Sequence, residues 1–276
     1  MRKYDKSIVL IICYYGKFPW YFPYFLHSCK YNPSVKFLIF TDLVYDKDVP
    51  ENVTFIKKSL KEIEALIYKK TGLAVQIEFP YKLCDLRPAY GVVFADLING
   101  YDFWGYCDID VIFGKIRNFM KNDVLQHYDV ISPRRGYLYG PFTLFRNTPK
   151  INVLYKRSED YEKVFKTAKH YCFDETNFAY DPFISGVPPE KIQTEIESMT
   201  HVVKKLNNQQ YIRAYFDFHV IDGLPGYLKW VKGVLTYKDK VEAMLYHLVR
   251  LKEIYKPKRI GTMPQTLRIS RTGIHA

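Results

Sequence analysis

The sequence predicts an α/β domain with a largely parallel central sheet and a mixed C-terminal elaboration. Three observations carry that expectation. Strand-like and helix-like segments alternate over roughly the first 130 residues, the order that lays helices on the faces of a parallel sheet. The run Ile8-Val9-Leu10-Ile11-Ile12-Cys13 is continuously apolar, as in a strand covered on both faces. With 276 residues, 48% hydrophobic and 25% charged, the chain can bury a substantial core, which excludes a disordered polypeptide.

Taken in order, residues 7–13 read as the first strand, followed by an aromatic loop, Phe18-Pro19-Trp20-Tyr21-Phe22-Pro23. Residues 35–40 form a second strand that ends at Thr41-Asp42, and 53–56 a third. Residues 59–70 form a helix. Ser59 and Glu62 make a capping box, Leu60, Ile63, Leu66 and Ile67 share one face, and Gly72 closes the end. Residues 81–99 read as a second helix kinked or restarted at Pro88. A strand covers 102–110, and Thr148-Pro149 opens a further helix with Thr as N-cap and Pro at its first position. A Pro/Gly loop at 184–189 precedes a helix from about Glu190, and 230–237 and 241–248 read as late strands. No repeat or linker interrupts the pattern. The expected organisation is one domain over 1–255 and a basic tail over 256–276, which carries five basic and no acidic residues.

Lys and Arg number 41 against 29 acidic residues, a net charge of +12, and aromatics reach 17%. This balance suits a polyanion, a phosphorylated substrate or an anionic membrane face. The longest apolar run falls far short of the ~20 residues that span a bilayer. Arg2 and Lys3 precede it as in a signal peptide, yet Tyr14-Tyr15-Gly16-Lys17 is no small-residue cleavage site. The five cysteines are scattered without a C-x-x-C pair, which argues against a disulfide framework or zinc site and for a reducing compartment. A cytoplasmic location follows as the expectation, with the basic tail suited to the inner face of the plasma membrane.

The most informative segment is Gly105-Tyr106-Cys107-Asp108-Ile109-Asp110-Val111-Ile112-Phe113-Gly114. On a strand, positions i and i+2 share a side, so Asp108 and Asp110 would present two carboxylates to one spot. Two like charges in a half-buried place are unfavourable unless something positive sits between them; the other reading is a capped strand end with two solvated acids. Mn²⁺ or Mg²⁺ is the natural choice where phosphates complete the shell. A second D-x-D, Asp46-Lys47-Asp48, lies in a polar stretch and reads as solvated loop.

The longer string from Gly100-Tyr101-Asp102-Phe103-Trp104 through Gly114 resembles a family of little-characterised bacterial proteins taken to be GT-A type glycosyltransferases. Further pieces match in order: Tyr15-Gly16-Lys17, Ser28-Cys29-Lys30-Tyr31-Asn32-Pro33, Phe37-Leu38-Ile39-Phe40-Thr41-Asp42, the segment from Tyr81 to Gly91, Phe142-Thr143-Leu144-Phe145-Arg146-Asn147, Phe173-Asp174-Glu175 and Tyr246-His247-Leu248. The match is dense over about 10–178 and thin beyond. One position departs: a His is expected just before Phe-Thr-Leu, and this chain has Pro141. The resemblance implies a GT-A-like (Rossmann-like) fold, a nucleotide-diphosphate-sugar donor, a divalent metal at the D-x-D, and synthesis of bacterial cell-surface polysaccharide on a glycan or lipid-linked acceptor. A UDP-sugar is the expected donor.

Ligands of open α/β sheets bind at the carboxyl ends of strands. Thr41 and Asp42 are therefore candidates for base or ribose contacts, and Tyr14 and Gly16 for the loop against the base; each also reads as ordinary turn chemistry. Lys82, Asp85 and Arg87 lie near a helix start, which favours anions, so Lys82 or Arg87 could meet donor phosphates and Asp85 ribose or sugar hydroxyls. His247 matches the late His that completes the metal shell in such enzymes, with His219 as its rival; a lone His in an apolar strand is otherwise a core residue. Asp174 and Glu175 are the candidates for the general base toward an acceptor hydroxyl, or simply acids favoured at a helix start. A nucleotidyltransferase or other metal-dependent phosphoryl-transfer enzyme would use the same acids. A nucleic-acid-binding protein is the non-enzymatic alternative, disfavoured because the charge is spread along the chain without a recognisable module.

Overall fold

The computed structural model describes residues 6–257 and 261–276. Arg2, Lys3 and the Lys258-Arg259 pair of the basic tail lie outside the described residues. The strands are β1 Ile8–Cys13, β2 Val35–Thr41, β3 Val53–Lys57, β4 Phe103–Cys107, β5 Val111–Phe113, β6 Val130–Ser132, β7 Phe142–Arg146, β8 Ala214–Phe216, β9 Val220–Asp222, β10 Leu228–Val231, β11 Val234–Tyr237, β12 Val241–Ala243, β13 Leu245–His247, β14 Thr266–Ile269 and β15 Ile274–His275.

Seven strands form the central sheet in the order β3-β2-β1-β4-β7-β6-β8. All neighbours are parallel except those of β7, which runs against β4 and β6. The expected α/β architecture with a mostly parallel sheet is present. The continuous apolar character of β1 has the anticipated cause. Val9 and Ile11 enter the core on one face, and Ile8, Leu10 and Ile12 the core on the other. At Gly105 in β4 a Cβ would stand 2.3 Å from the Thr143 carbonyl oxygen of β7, so the close approach of these strands requires glycine.

Helix α1, Phe22–Lys30, and helix α2, Leu60–Thr71, cover opposite faces of the sheet. α2 has the predicted capping box. The Ser59 hydroxyl accepts from the Glu62 amide, the Glu62 carboxylate accepts from the Ser59 amide, and Gly72 closes the helix at φ 76°. Thr148 caps the turn Pro149–Asn152 as expected.

Elsewhere the boundaries differ. α1 occupies what reads as the end of an aromatic loop. The helix expected over 81–99 is a chain of short turns, Pro80–Lys82, Leu83–Leu86, Arg87–Ala89, Tyr90–Val93 and Ala95–Ile98; Pro88 removes a donor in its middle. The helix expected from Glu190 is only the turn Pro189–Lys191, and the true helix is Met199–Asn208. The late strand 230–237 is a hairpin, β10 and β11, turned through Lys232 and Gly233 at φ 45° and 88°. The strand 241–248 splits at Met244 into β12 and β13, which join different sheets. β13 lies between β5 and β9 in a three-stranded sheet, while β12-β11-β10-β14-β15 form a five-stranded antiparallel one. The basic tail is thus no free extension, because β14 and β15 lie within it. No helix among the described residues is long and apolar enough to cross a membrane.

Candidate functional site

A cavity of about 780 Å³ opens at the carboxyl ends of β1 and β4. A wider groove of about 1190 Å³ lies over Ser7, Ser34 and Lys36 at the opposite ends of the strands, but the acids and histidine singled out above gather in the smaller one. Asp108, Asp110 and His247 each point a possible ligand atom to one spot, all within 4.8 Å of one another.

This convergence does not arise as the sequence suggested. β4 ends at Cys107, so Asp108 and Asp110 sit in the turn between β4 and β5 rather than on one face of a strand. Strand register does the work. β13 pairs with β5 with His247 opposite Val111, the residue after Asp110, and with β9 with His247 opposite Asp222. The Leu248 amide donates to the Asp110 carbonyl at 2.8 Å. Directly opposite residues share a face of a sheet, so the ladder delivers Asp222 beside His247.

His247 Nδ1 stands 3.2 Å from Asp222 Oδ1, and Nε2 stands 3.3 Å from Asp110 Oδ2. Lys252 donates to the same Asp110 oxygen at 2.6 Å. Burial would raise the Asp110 pKa, but the hydrogen bonds from His247 and Lys252 hold it well below the usual carboxylate range. Burial would lower the His247 pKa; bonds to Asp110 and Asp222 outweigh it and push it up to about 10. Asp222 also accepts from Tyr139 and Arg134.

Arg87 holds the opposite wall. Its guanidinium donates to Asp108, to Asp174 Oδ2 at 3.1 Å and to the Gly140 carbonyl at 3.2 Å. Glu175 accepts from the Gly140 amide at 2.7 Å, the Tyr180 hydroxyl at 2.8 Å and the Cys172 thiol at 3.4 Å. Asp174 and Glu175 both line the cavity. Burial raises both pKa values, that of Asp174 well above the ordinary one despite Arg87. Their segment adopts left-handed backbone at Cys172, Asn177 and Phe178, conformations that cost energy in residues with a Cβ and gather at functional sites.

Tyr14 and Pro141 also line the cavity, as does Tyr15, whose buried hydroxyl has no hydrogen-bond partner among the described residues. Gly16, Thr41 and Asp42 do not line it. Thr41 is buried with its hydroxyl accepting from the Leu43 amide, and Asp42 is exposed beyond it.

Lys82 and Asp85 correct the sequence reading. Both are wholly buried and neither reaches the cavity. Lys82 Nζ donates to Asp85 at 3.0 Å and to the carbonyls of Val164 and Lys169 at 2.6 and 2.7 Å. Asp85 accepts from the Tyr171 and Phe173 amides. One ammonium proton goes to Asp85 and two to carbonyls of the 164–169 stretch, while the Asp85 carboxylate holds the amides of Tyr171 and Phe173 just before Asp174. The pair is an internal latch that places Asp174 and Glu175, not an anion contact. His219 pairs with Asp217 at 3.3 Å instead of joining the cluster.

Sequence reasoning passed over Asp222, Lys252, Tyr139 and Tyr180. Asp222 ends a short apolar strand before a glycine, the same pattern that drew attention to strand-end acids earlier in the chain. Four of the five cysteines line the cavity and all five are free.

No curated protein matches this sequence. The profile of a family of unknown function (DUF6625) matches residues 10–275, nearly the whole chain, and the protein belongs to that family.

Proposed function

We propose that the chain is a metal-dependent glycosyltransferase of GT-A type that moves a sugar from a nucleotide diphosphate, a UDP-sugar in the first instance, to a glycan or lipid-linked glycan acceptor in cell-surface polysaccharide synthesis. The observation that carries this reading is the meeting of Asp108, Asp110 and His247 at the carboxyl edge of the central sheet, in one cavity with Asp174 and Glu175.

The donor set fits a hard divalent cation. Two carboxylates and one imidazole suit Mn²⁺ or Mg²⁺, with open positions left for phosphate oxygens. Asp222 supplies the outer contact that ligating histidines characteristically have: it accepts from Nδ1 and leaves Nε2 facing Asp110. Such an ion would offset negative charge developing on the departing diphosphate.

The chain's own groups do the rest. Lys252, already beside Asp110, adds a second positive charge on the diphosphate side. Tyr14 and Tyr15 line the cavity and are the groups assigned to the base; the buried Tyr15 hydroxyl has no hydrogen-bond partner among the described residues. Arg87 spans Asp108 and Asp174, so it ties the metal side to the acceptor side. Asp174 and Glu175 orient the acceptor hydroxyl. Their raised pKa values bring a carboxylate nearer the pH at which it takes a proton effectively.

The test is product analysis with Mn²⁺ and a panel of nucleotide sugars. A glycosyltransferase releases a nucleoside diphosphate, and the activity disappears in Asp110→Ala. Release of pyrophosphate would assign nucleotidyl transfer instead. Turnover undiminished in Asp110→Ala would overturn the site.

A further inference from the structure

The charge of this protein is unevenly placed. Residues 223–276 carry 11 Lys and Arg against 3 Asp and Glu, so +8 of the net +12 falls in this short C-terminal stretch. Three of the eleven, Lys238, Lys240 and Arg271, stand at the turns of one end of the five-stranded sheet.

At one end of that sheet three connections meet. The first, Leu224 to Tyr227, leads into β10. The second is the β11–β12 turn, Lys238-Asp239-Lys240. The third is the β14–β15 turn around Arg271. The Lys238 amide donates to the Tyr227 carbonyl at 2.9 Å. A Cβ on Gly226 would touch the Arg271 side chain at 3.1 Å. Lys238, Lys240 and Arg271 are exposed. Among them stand apolar side chains that a globular surface has no need to show: Tyr227 is 70% exposed, Val241 58% and Leu224 37%. Tyr227, Lys238 and Asp239 all have left-handed backbone. The acid of this turn, Asp239, faces Lys229 at 3.6 Å.

This end is a short stretch of chain away from the cavity. Tyr227 follows the cavity residue Asp222 by five positions, a reach of at most about 18 Å. Tyr255, three residues beyond Lys252, donates its hydroxyl to the Ile274 carbonyl beside the third turn.

We infer that the turn end of the C-terminal sheet, with Tyr227, Val241 and Leu224 set among Lys238, Lys240 and Arg271, is a docking surface for an anionic lipid bilayer. Cations alone would suit any polyanion. Exposed aliphatic and aromatic groups among them gain from a headgroup boundary, where an amphipathic ring and basic side chains are both favoured, and gain little from a phosphate backbone. The surface would hold the cavity mouth close to the membrane plane, and its existence does not depend on which chemistry the cavity performs.

Vesicle co-sedimentation tests this with the full chain. Vesicles of phosphatidylcholine with about 30 mol% phosphatidylglycerol are compared with pure phosphatidylcholine. Each basic residue near such a surface is worth about fivefold in affinity, so Lys238→Ala, Lys240→Ala and Arg271→Ala together weaken binding to the anionic vesicles about 100-fold. Raising salt from about 0.1 M to 0.5 M gives a loss in the unaltered protein as well. A control triple on the far α2 side, Lys57→Ala, Lys61→Ala and Lys69→Ala, keeps its binding. The inference falls if the protein ignores the anionic vesicles, if it binds both compositions alike, or if the control triple loses as much. Tight binding of a DNA duplex with the same loss in the first triple would give the patch to nucleic acid instead.

Discussion

Replacing Asp222 with Ala should weaken Mn²⁺ binding without removing any proposed ligand. Asp222 Oδ1 lies 3.2 Å from His247 Nδ1, and this contact turns Nε2 toward Asp110. Outer carboxylates of this kind are typically worth 10- to 100-fold in metal affinity, about 1.4 to 2.8 kcal/mol. Calorimetric titration of Mn²⁺ near neutral pH reads the change directly. Asp222 also pairs with Arg134, so Arg134→Ala is the control: it disturbs the same cluster but leaves His247 its partner, and its affinity stays near that of the unaltered protein. The pH dependence gives a second readout. With His247 pushed up to about 10 by Asp110 and Asp222 against the effect of its burial, the imidazole is protonated at neutral pH, and a cation must displace that proton. Affinity therefore rises with pH, by up to about tenfold per unit below 10. Losing Asp222 also relieves the proton competition at His247, so the two proteins are compared across the pH series; an Asp222→Ala protein that matches the unaltered one in both affinity and pH profile, or a flat profile in the unaltered protein, would refute this account of His247.

Two further outcomes follow from the opposite wall. Lys82→Met leaves Asp85 buried without its ammonium and frees two backbone carbonyls; urea unfolding should show a loss of about 3 to 5 kcal/mol, most of it recovered in Lys82→Met/Asp85→Leu. Glu175 has a folded pKa above its ordinary value, chiefly through burial, so its stability contribution is present below about pH 4 and is lost as pH rises through the folded value. Glu175→Gln should accordingly raise the melting temperature at pH 8, and the gain should shrink as pH falls toward 4.

Much of the fold was legible because its signals are local. A capping box needs residues three apart, and Ser59 and Glu62 made one. A strand buried on both faces must be apolar throughout, and β1 is. Breaks were harder to place: Pro88 marked a kink or restart, and the helix does restart at Tyr90, but the whole segment is a series of short turns, and the Lys232-Gly233 turn was hidden inside a run that looked like one strand. Lys82 and Asp85 illustrate a different failure. A charged residue in a sequence looks like surface or ligand contact, because nothing in its neighbours shows which backbone groups 82 to 88 residues away will surround it.

The candidate site extends that argument. Asp108 and Asp110 were found by spacing, yet the strand alternation that recommended them does not apply in the turn where they lie. Their convergence with His247 depends on the β5–β13 register, and the presence of Asp222 on the β13–β9 register. A slip of one residue in either ladder would turn His247 or Asp222 to the other face. The register is held by packing that has no motif: Leu245 and Val220 in one core, Tyr246 in another, and the Tyr246 hydroxyl on the Gly223 carbonyl at 2.8 Å. The residue types of the cluster are therefore visible in the chain, while the cluster itself is a property of two strand pairings. It follows that changes at Tyr246 or Leu245, which are not themselves proposed ligands, act on metal binding through register.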